Sequence, residues 1–240
     1  MVAMPSLNNK HKLQPHMKNK ISPFVLDFLH DLSENNNREW FNDNKSRWQS
    51  AKADFLEFVE NLMPELYRMD NSIGIQSAEK CMYRIHRDIR FSPDKTPYKV
   101  HLAAYIATGG VKRHGRPGYY IHIENNNSGC GGGIFMPETD TLTAIRKEIY
   151  YNIDTFKSII DNNDFKKYYP QLWQIDMLKQ APKGFPKDFE GVEWLKYKHY
   201  VTMCDFTNTD VLSNDFGSRV MDAFRATYPL NKFIIDAMNQ

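Results

Sequence analysis

The densest chemistry in the sequence lies between Met82 and Ala107, MYRIHRDIRFSPDKTPYKVHLAAYIA. Arg84, Arg90 and Lys99 suit phosphate or carboxylate recognition, the guanidinium because its donors form a planar fork. Arg87 and Lys95 extend this anion-binding set. Asp88 and His101 are the candidate catalytic groups: the carboxylate can orient an arginine or accept a proton, and an imidazole exchanges protons near neutral pH. Asp94, Tyr98 and His122 are supporting candidates, Asp94 through bonds to turn amides, Tyr98 behind the rigid Pro97, and His122 as a second acid or base. Arg87 falls among apolar side chains, so it needs a partner, and a structural ion pair is preferred to a ligand role.

A β-hairpin would bring these groups together. Side chains alternate between the faces of a strand. Over 82–91, Tyr83, Ile85, Ile89 and Phe91 take one face; Arg84, His86, Asp88 and Arg90 take the other. Over 99–107, Val100, Leu102, Ala104 and Ile106 oppose Lys99, His101, Ala103 and Tyr105. Directly opposed residues share a face. Pairing the apolar sets therefore places Arg84, His86, Asp88, Arg90, Lys99 and His101 on one surface, to which an aligned third strand adds Tyr120, His122 and Glu124. The first reading of that surface is a site for an anionic small molecule. Nucleic acid is the less favoured partner, because the net charge is only +2. The third reading is a structural network of paired and solvated charges under a scaffold function. Histidine and carboxylate could hold a metal, but three cations beside them oppose it, and neither HExxH nor Cys/His finger spacing occurs; no metal is expected. Nothing here names a cofactor, a reaction or an oligomeric state.

The flanking segments read as helical. Ser22-Pro23 begins one helix, which the run Glu34-Asn35-Asn36-Asn37 breaks. Asn37 caps a second from Arg38, whose apolar stripe runs from Trp40 to Leu62 until Pro64 bends or ends it. Strands are expected at 118–124 and 133–136, with NNNSGCGGG between them as a flexible connection. Leu142, Ile145 and Ile149 mark a helix after Pro137. Trp194 and Leu195 suggest a short helix, Tyr200 to Phe206 a last strand, and 209–226 and 230–237 closing helices. The expectation is an α+β fold with a central antiparallel β-meander flanked by N-terminal and C-terminal helices, one domain over 21–240, and a flexible polar tail over 1–20. Cys81, Cys130 and Cys204 show no CxxC spacing, which suits a reducing compartment. The basic start has no signal-peptide core and no stretch is long enough to span a bilayer, so a cytoplasmic protein without a membrane partner is expected.

The string from Arg84 to Lys99, followed by His101, resembles the signature of the uncharacterised proteins grouped as domain of unknown function 2461. Asn36 to Phe41 with Asn44-Lys45, Gly133 to Pro137, Leu178-Lys179 and Pro182 to Phe185 are similar to other parts of that family. The resemblance covers roughly residues 22 to 226. It implies one α+β domain and no established activity, substrate or cofactor.

Overall fold

The computed structural model describes residues 19–112 and 115–240. Helix α1 (Pro23–Glu34) carries proline in its first turn and buries Val25, Leu26, Phe28, Leu29 and Leu32. Ser22 precedes it in extended conformation, its amide donating to Asp54 (3.2 Å). Asn37 caps α2 (Arg38–Asp43) by accepting from the Trp40 amide at 2.9 Å. The apolar stripe continues in α3 (Lys45–Met69), separated from α2 by Asn44. Pro64 does not end α3: buried Met63 and Leu66 hold the helix on both sides of it. Helix α4 (Ala78–Cys81) leads into the charged segment.

The sheet is antiparallel throughout. Strands β1 (His101–Ile106), β2 (Gly118–Glu124) and β3 (Ser128–Ile134) form a meander. Helices α5 (Thr139–Tyr151), α6 (Ile153–Ile160), α7 (Asn163–Tyr168) and α8 (Val192–Leu195) follow. The chain then returns along the free edge of β3 as β4 (Tyr200–Val201) and β5 (Cys204–Phe206). Helices α9 (Asn208–Val211) and α10 (Phe216–Met238) close the chain. The result is the expected single α+β domain, with one sheet flanked by helices from both ends of the sequence. Helix α10 packs against β3, and its Phe224 ring lies 5.1 Å from that of Tyr119 on the neighbouring strand β2.

Besides the breaks at Asn44 and at Thr202–Met203, three expected elements differ. Residues 82–91 form no regular strand; two isolated bridges, Met82 to Ala104 and His86 to Tyr98, tie them to their neighbour. The glycine-rich connection is instead the fully buried strand β3, in the middle of the sheet. The closing helices divide elsewhere than expected: 209–226 is interrupted between α9 and α10, and α10 then runs on through Pro229. The expected tail lies outside the described residues but for Asn19 and Lys20, and Asn19 is docked by its carbonyl, which accepts from the Gly217 amide at 2.8 Å.

Close packing explains the glycines of β3. A Cβ at Gly131 would fall 1.9 Å from the Thr202 carbonyl oxygen, and one at Gly132 would fall 2.5 Å from the Thr227 methyl group on α10. Thr202 sits between β4 and β5 and knits the three elements. Its amide donates to the Gly132 carbonyl (2.8 Å), its hydroxyl accepts from the Gly132 amide (2.9 Å), and it shares a hydrogen bond with the Thr227 hydroxyl (3.1 Å). Gly131→Ala is expected to destabilise the protein by about 1–3 kcal/mol, because backbone must move to admit the methyl group. Thermal unfolding reads this as a lower Tm with the fold retained.

Candidate functional site

One face of the sheet packs on α10. The other bounds a cavity of about 340 Å³. Strand register decides which side chains enter it. His101 lies opposite Glu124, Ala103 opposite His122, and Tyr105 opposite Tyr120. On the far side of β2, Tyr120 and His122 lie opposite Gly131 and Gly129. Imidazoles and phenols thus stand on β1 and β2, while the adjoining face of β3 is bare backbone. Tyr83 and Lys99 close one side; Phe135, Trp173, Val201 and Met203 close the other. Phe135 and Trp173 are about half exposed, at 49% and 48%, so the mouth has an aromatic rim.

Burial governs the electrostatics. Lys99 is partly buried, its ammonium 4.9 Å from the centroid of the Tyr83 ring, and it has no carboxylate or hydrogen-bond partner among the described residues. Desolvation, then repulsion from Arg84, lowers its pKa. Burial, His122 and Lys99 together push His101 down to about 4. Glu124 lies 3.9 Å from Nδ1 of His101, too far for a hydrogen bond, and does not offset that burial. Burial also lowers His122. Both imidazoles are therefore neutral at neutral pH. Burial raises Tyr105 and Tyr120, so both phenols keep their protons. The Tyr105 hydroxyl donates within reach of two carbonyls, Arg116 (2.5 Å) and Gly133 (3.1 Å). The arrangement offers one cation, two neutral imidazoles and a largely aromatic wall.

The sequence profile of the family described as conserved hypothetical protein (DUF2461) matches residues 24–233. The chain belongs to this family. No curated protein and no solved structure shows a match.

The segment that carries the DUF2461 signature divides in two. Lys99 and His101, with His122 from β2, line the cavity. The remainder ties up its own turn. Arg87 bonds Asp94 and the Thr96 hydroxyl, while its amide donates to the Pro97 carbonyl (3.0 Å). Asp94 accepts from the Thr96 amide and hydroxyl, each at 2.9 Å, and with Arg87 these bonds hold its carboxyl down near about 2. Asp88 accepts two bonds from the Arg90 guanidinium, at 2.9 and 2.7 Å, and lies outside the cavity; that pairing takes its pKa to about 2. Lys95 donates to the Ile89 carbonyl at 2.9 Å. Arg84 is exposed, with no hydrogen-bond partner among the described residues, and its field reaches Lys99. Tyr98 is buried against Phe41, ring centroids 4.0 Å apart, and Asn36 brackets its backbone by donating to its carbonyl (2.9 Å) and accepting from its amide (3.1 Å).

The expected common surface is therefore split by register. His86 lies opposite Tyr98, and the Lys99 amide donates to the Ile85 carbonyl at 2.8 Å. This is one residue out of step with apolar-to-apolar pairing. His86 consequently shares a side with Tyr98 rather than with Lys99, and Tyr83, expected on the apolar side, enters the cavity. Sequence reasoning also missed Phe135, Trp173 and Met203, which arrive from distant segments. The signal for the bare face was the alternation of Gly129, Gly131 and Gly133, which reads as a strand lacking side chains on one side. Among the described residues no three His, Cys, Asp or Glu side chains form a metal-holding group, and no helix is long and apolar enough to cross a membrane.

The depressed His101 pKa has a testable consequence. The unfolded chain takes up this proton near the ordinary 6.5 and the folded chain only near about 4. The neutral ring's contribution to stability is complete above the higher value and is lost as pH falls through this window. Denaturant unfolding should show stability declining across it. His101→Leu should flatten the slope without abolishing it, since His122 is lowered too, and the His101 ring proton should not titrate in NMR spectra until the acid end.

Proposed function

We propose that the protein binds a small molecule with a flat apolar body and one carboxylate or phosphate, held over the open face of the sheet. The observation that carries this reading is Lys99: a partly buried ammonium, without a carboxylate partner, in an aromatic-lined cavity. A cation withdrawn from water is costly until an anion meets it, and such a cavity with few polar groups is the usual form of a small-molecule site. Lys99 holds the anionic group; Tyr83, Tyr120, Phe135 and Trp173 pack on the body. Arg84, outside the cavity, adds to the positive field at Lys99. His101 is the proton-transfer candidate in contact with such a ligand, whereas Asp88 is taken up by Arg90.

Two other readings have less support. Lys99 is the one lysine or arginine among the lining residues, whereas nucleic acid needs a run of cations along its backbone. The self-paired turn supports a structural role for Arg87, Asp88, Arg90, Asp94 and Lys95, and it leaves the cavity without a purpose.

Calorimetry with 1-naphthoate and its uncharged isostere 1-naphthamide tests the reading. The acid should bind one to one and about tenfold or more tighter than the amide, the worth of a charge-assisted bond. Lys99→Met, with unchanged circular dichroism, should remove that difference. Equal binding of acid and amide by the parent protein would dismiss the proposal.

A further inference from the structure

Two of the three cysteines face each other across the sheet. Cys130 stands in β3 and Cys204 on β5, and they are direct partners in the antiparallel register. Facing residues of this kind hold their Cα atoms about 4.5–5.5 Å apart, within the span that a disulfide bridges. Their Sγ atoms lie 3.6 Å apart and share a hydrogen bond. Rotation of two short side chains is enough to close that gap to a covalent bond of about 2.05 Å.

The two thiols are not equivalent. Cys130 is fully buried, and burial drives its thiol far above the ordinary value. It therefore keeps its hydrogen and donates it to Cys204. Cys204 is partly exposed on β5, a strand that pairs with β3 alone among the described strands. The hydrogen bond from Cys130 is the largest of the effects on the Cys204 thiol and holds it below its ordinary value against the opposing burial. Thiolates, rather than thiols, are the nucleophiles. Cys204 is thus the reactive member, and Cys130 lies in contact behind it. Cys81 makes the contrast: it is buried, and burial with the nearby Glu60 pushes its thiol up to about 11.

We propose that Cys130 and Cys204 are a reversible thiol pair that hydrogen peroxide converts to a disulfide. The Cys204 thiolate attacks one peroxide oxygen and the O–O bond breaks. The departing hydroxide takes up the proton that Cys204 released and leaves as water, with Cys204 now a sulfenic acid. Sγ of Cys130 then attacks the Cys204 sulfur. The S–O bond breaks, the S–S bond forms, and the Cys130 proton leaves with the hydroxyl as a second water. The two sulfurs together lose two electrons, which the peroxide gains. A dithiol reductant reverses the change by thiol–disulfide exchange. The link ties β5 to β3 one residue from Met203, which lines the cavity. It is independent of what the cavity binds.

The test uses the full reduced chain and a slight excess of hydrogen peroxide. Intact mass should fall by two hydrogens, and peptide mapping should place the link between Cys130 and Cys204 with Cys81 still a free thiol. Dithiothreitol should restore the starting mass. Cys130→Ala, with unchanged circular dichroism, should stop at the sulfenic acid, which dimedone captures on Cys204. Cys204→Ala should react with peroxide about tenfold or more slowly, because the thiols left to it are buried. Three results would each overturn the proposal in the parent protein alone: all thiols still free under conditions that oxidise glutathione completely, a link made through Cys81, or Cys204 carried on to the sulfinic acid while Cys130 stays free. A Cys204→Ala protein that reacts as fast as the parent would overturn it as well.

Discussion

The whole arrangement depends on how closely β3 can be approached. Helix α10 presses on one side of that strand and the Thr202 turn on its edge, and both occupy space that a side chain would need. Gly133 adds a conformational requirement, since its φ of +115° lies where side chains are strained. The strand gains in return a dense set of bonds through Thr202 and Thr227. Gly132 and Gly133 bring backbone rather than side chains to the cavity wall.

Polar groups in that cavity are held in costly states. An ammonium without a carboxylate, two imidazoles kept neutral and phenols kept protonated all result from withdrawal from water. The turn from Arg87 to Pro97 shows the opposite treatment, with its charges paired locally and exposed. Its bonds fix the backbone that delivers Tyr98 to Phe41 and Lys99 to the cavity. Asn36, reaching over from the turn between α1 and α2, secures the same point by imitating a neighbouring strand.

The sequence shows which parts of this follow from local rules. The capping of α2 by Asn37, the α5 face of Ile145 and Ile149, and the alignment of Tyr120, His122 and Glu124 with β1 obey spacing that can be counted. Arg87 was legible as a residue in need of a partner and Asp94 as a bonder of turn amides. The register of 82–91 was not legible, because the apolar rule assumes two regular strands, and here isolated bridges and the Arg87 clamp set the pairing. Strand β3 was hidden because its glycines answer to contacts from Thr202 and Thr227, about seventy and a hundred residues away. The facing of Cys130 and Cys204, with Sγ atoms 3.6 Å apart, is likewise a product of strand pairing that cysteine spacing does not encode.

The proposed binding turns on a lysine that is short of an anion. Reductive ¹³C-methylation followed by NMR titration reads the Lys99 amine directly. The account predicts that Lys99 loses its proton below the ordinary 10.5 in the free protein, and that its titration moves upward when 1-naphthoate occupies the cavity. A Lys99 that titrates like a surface lysine and does not respond to the acid would contradict it.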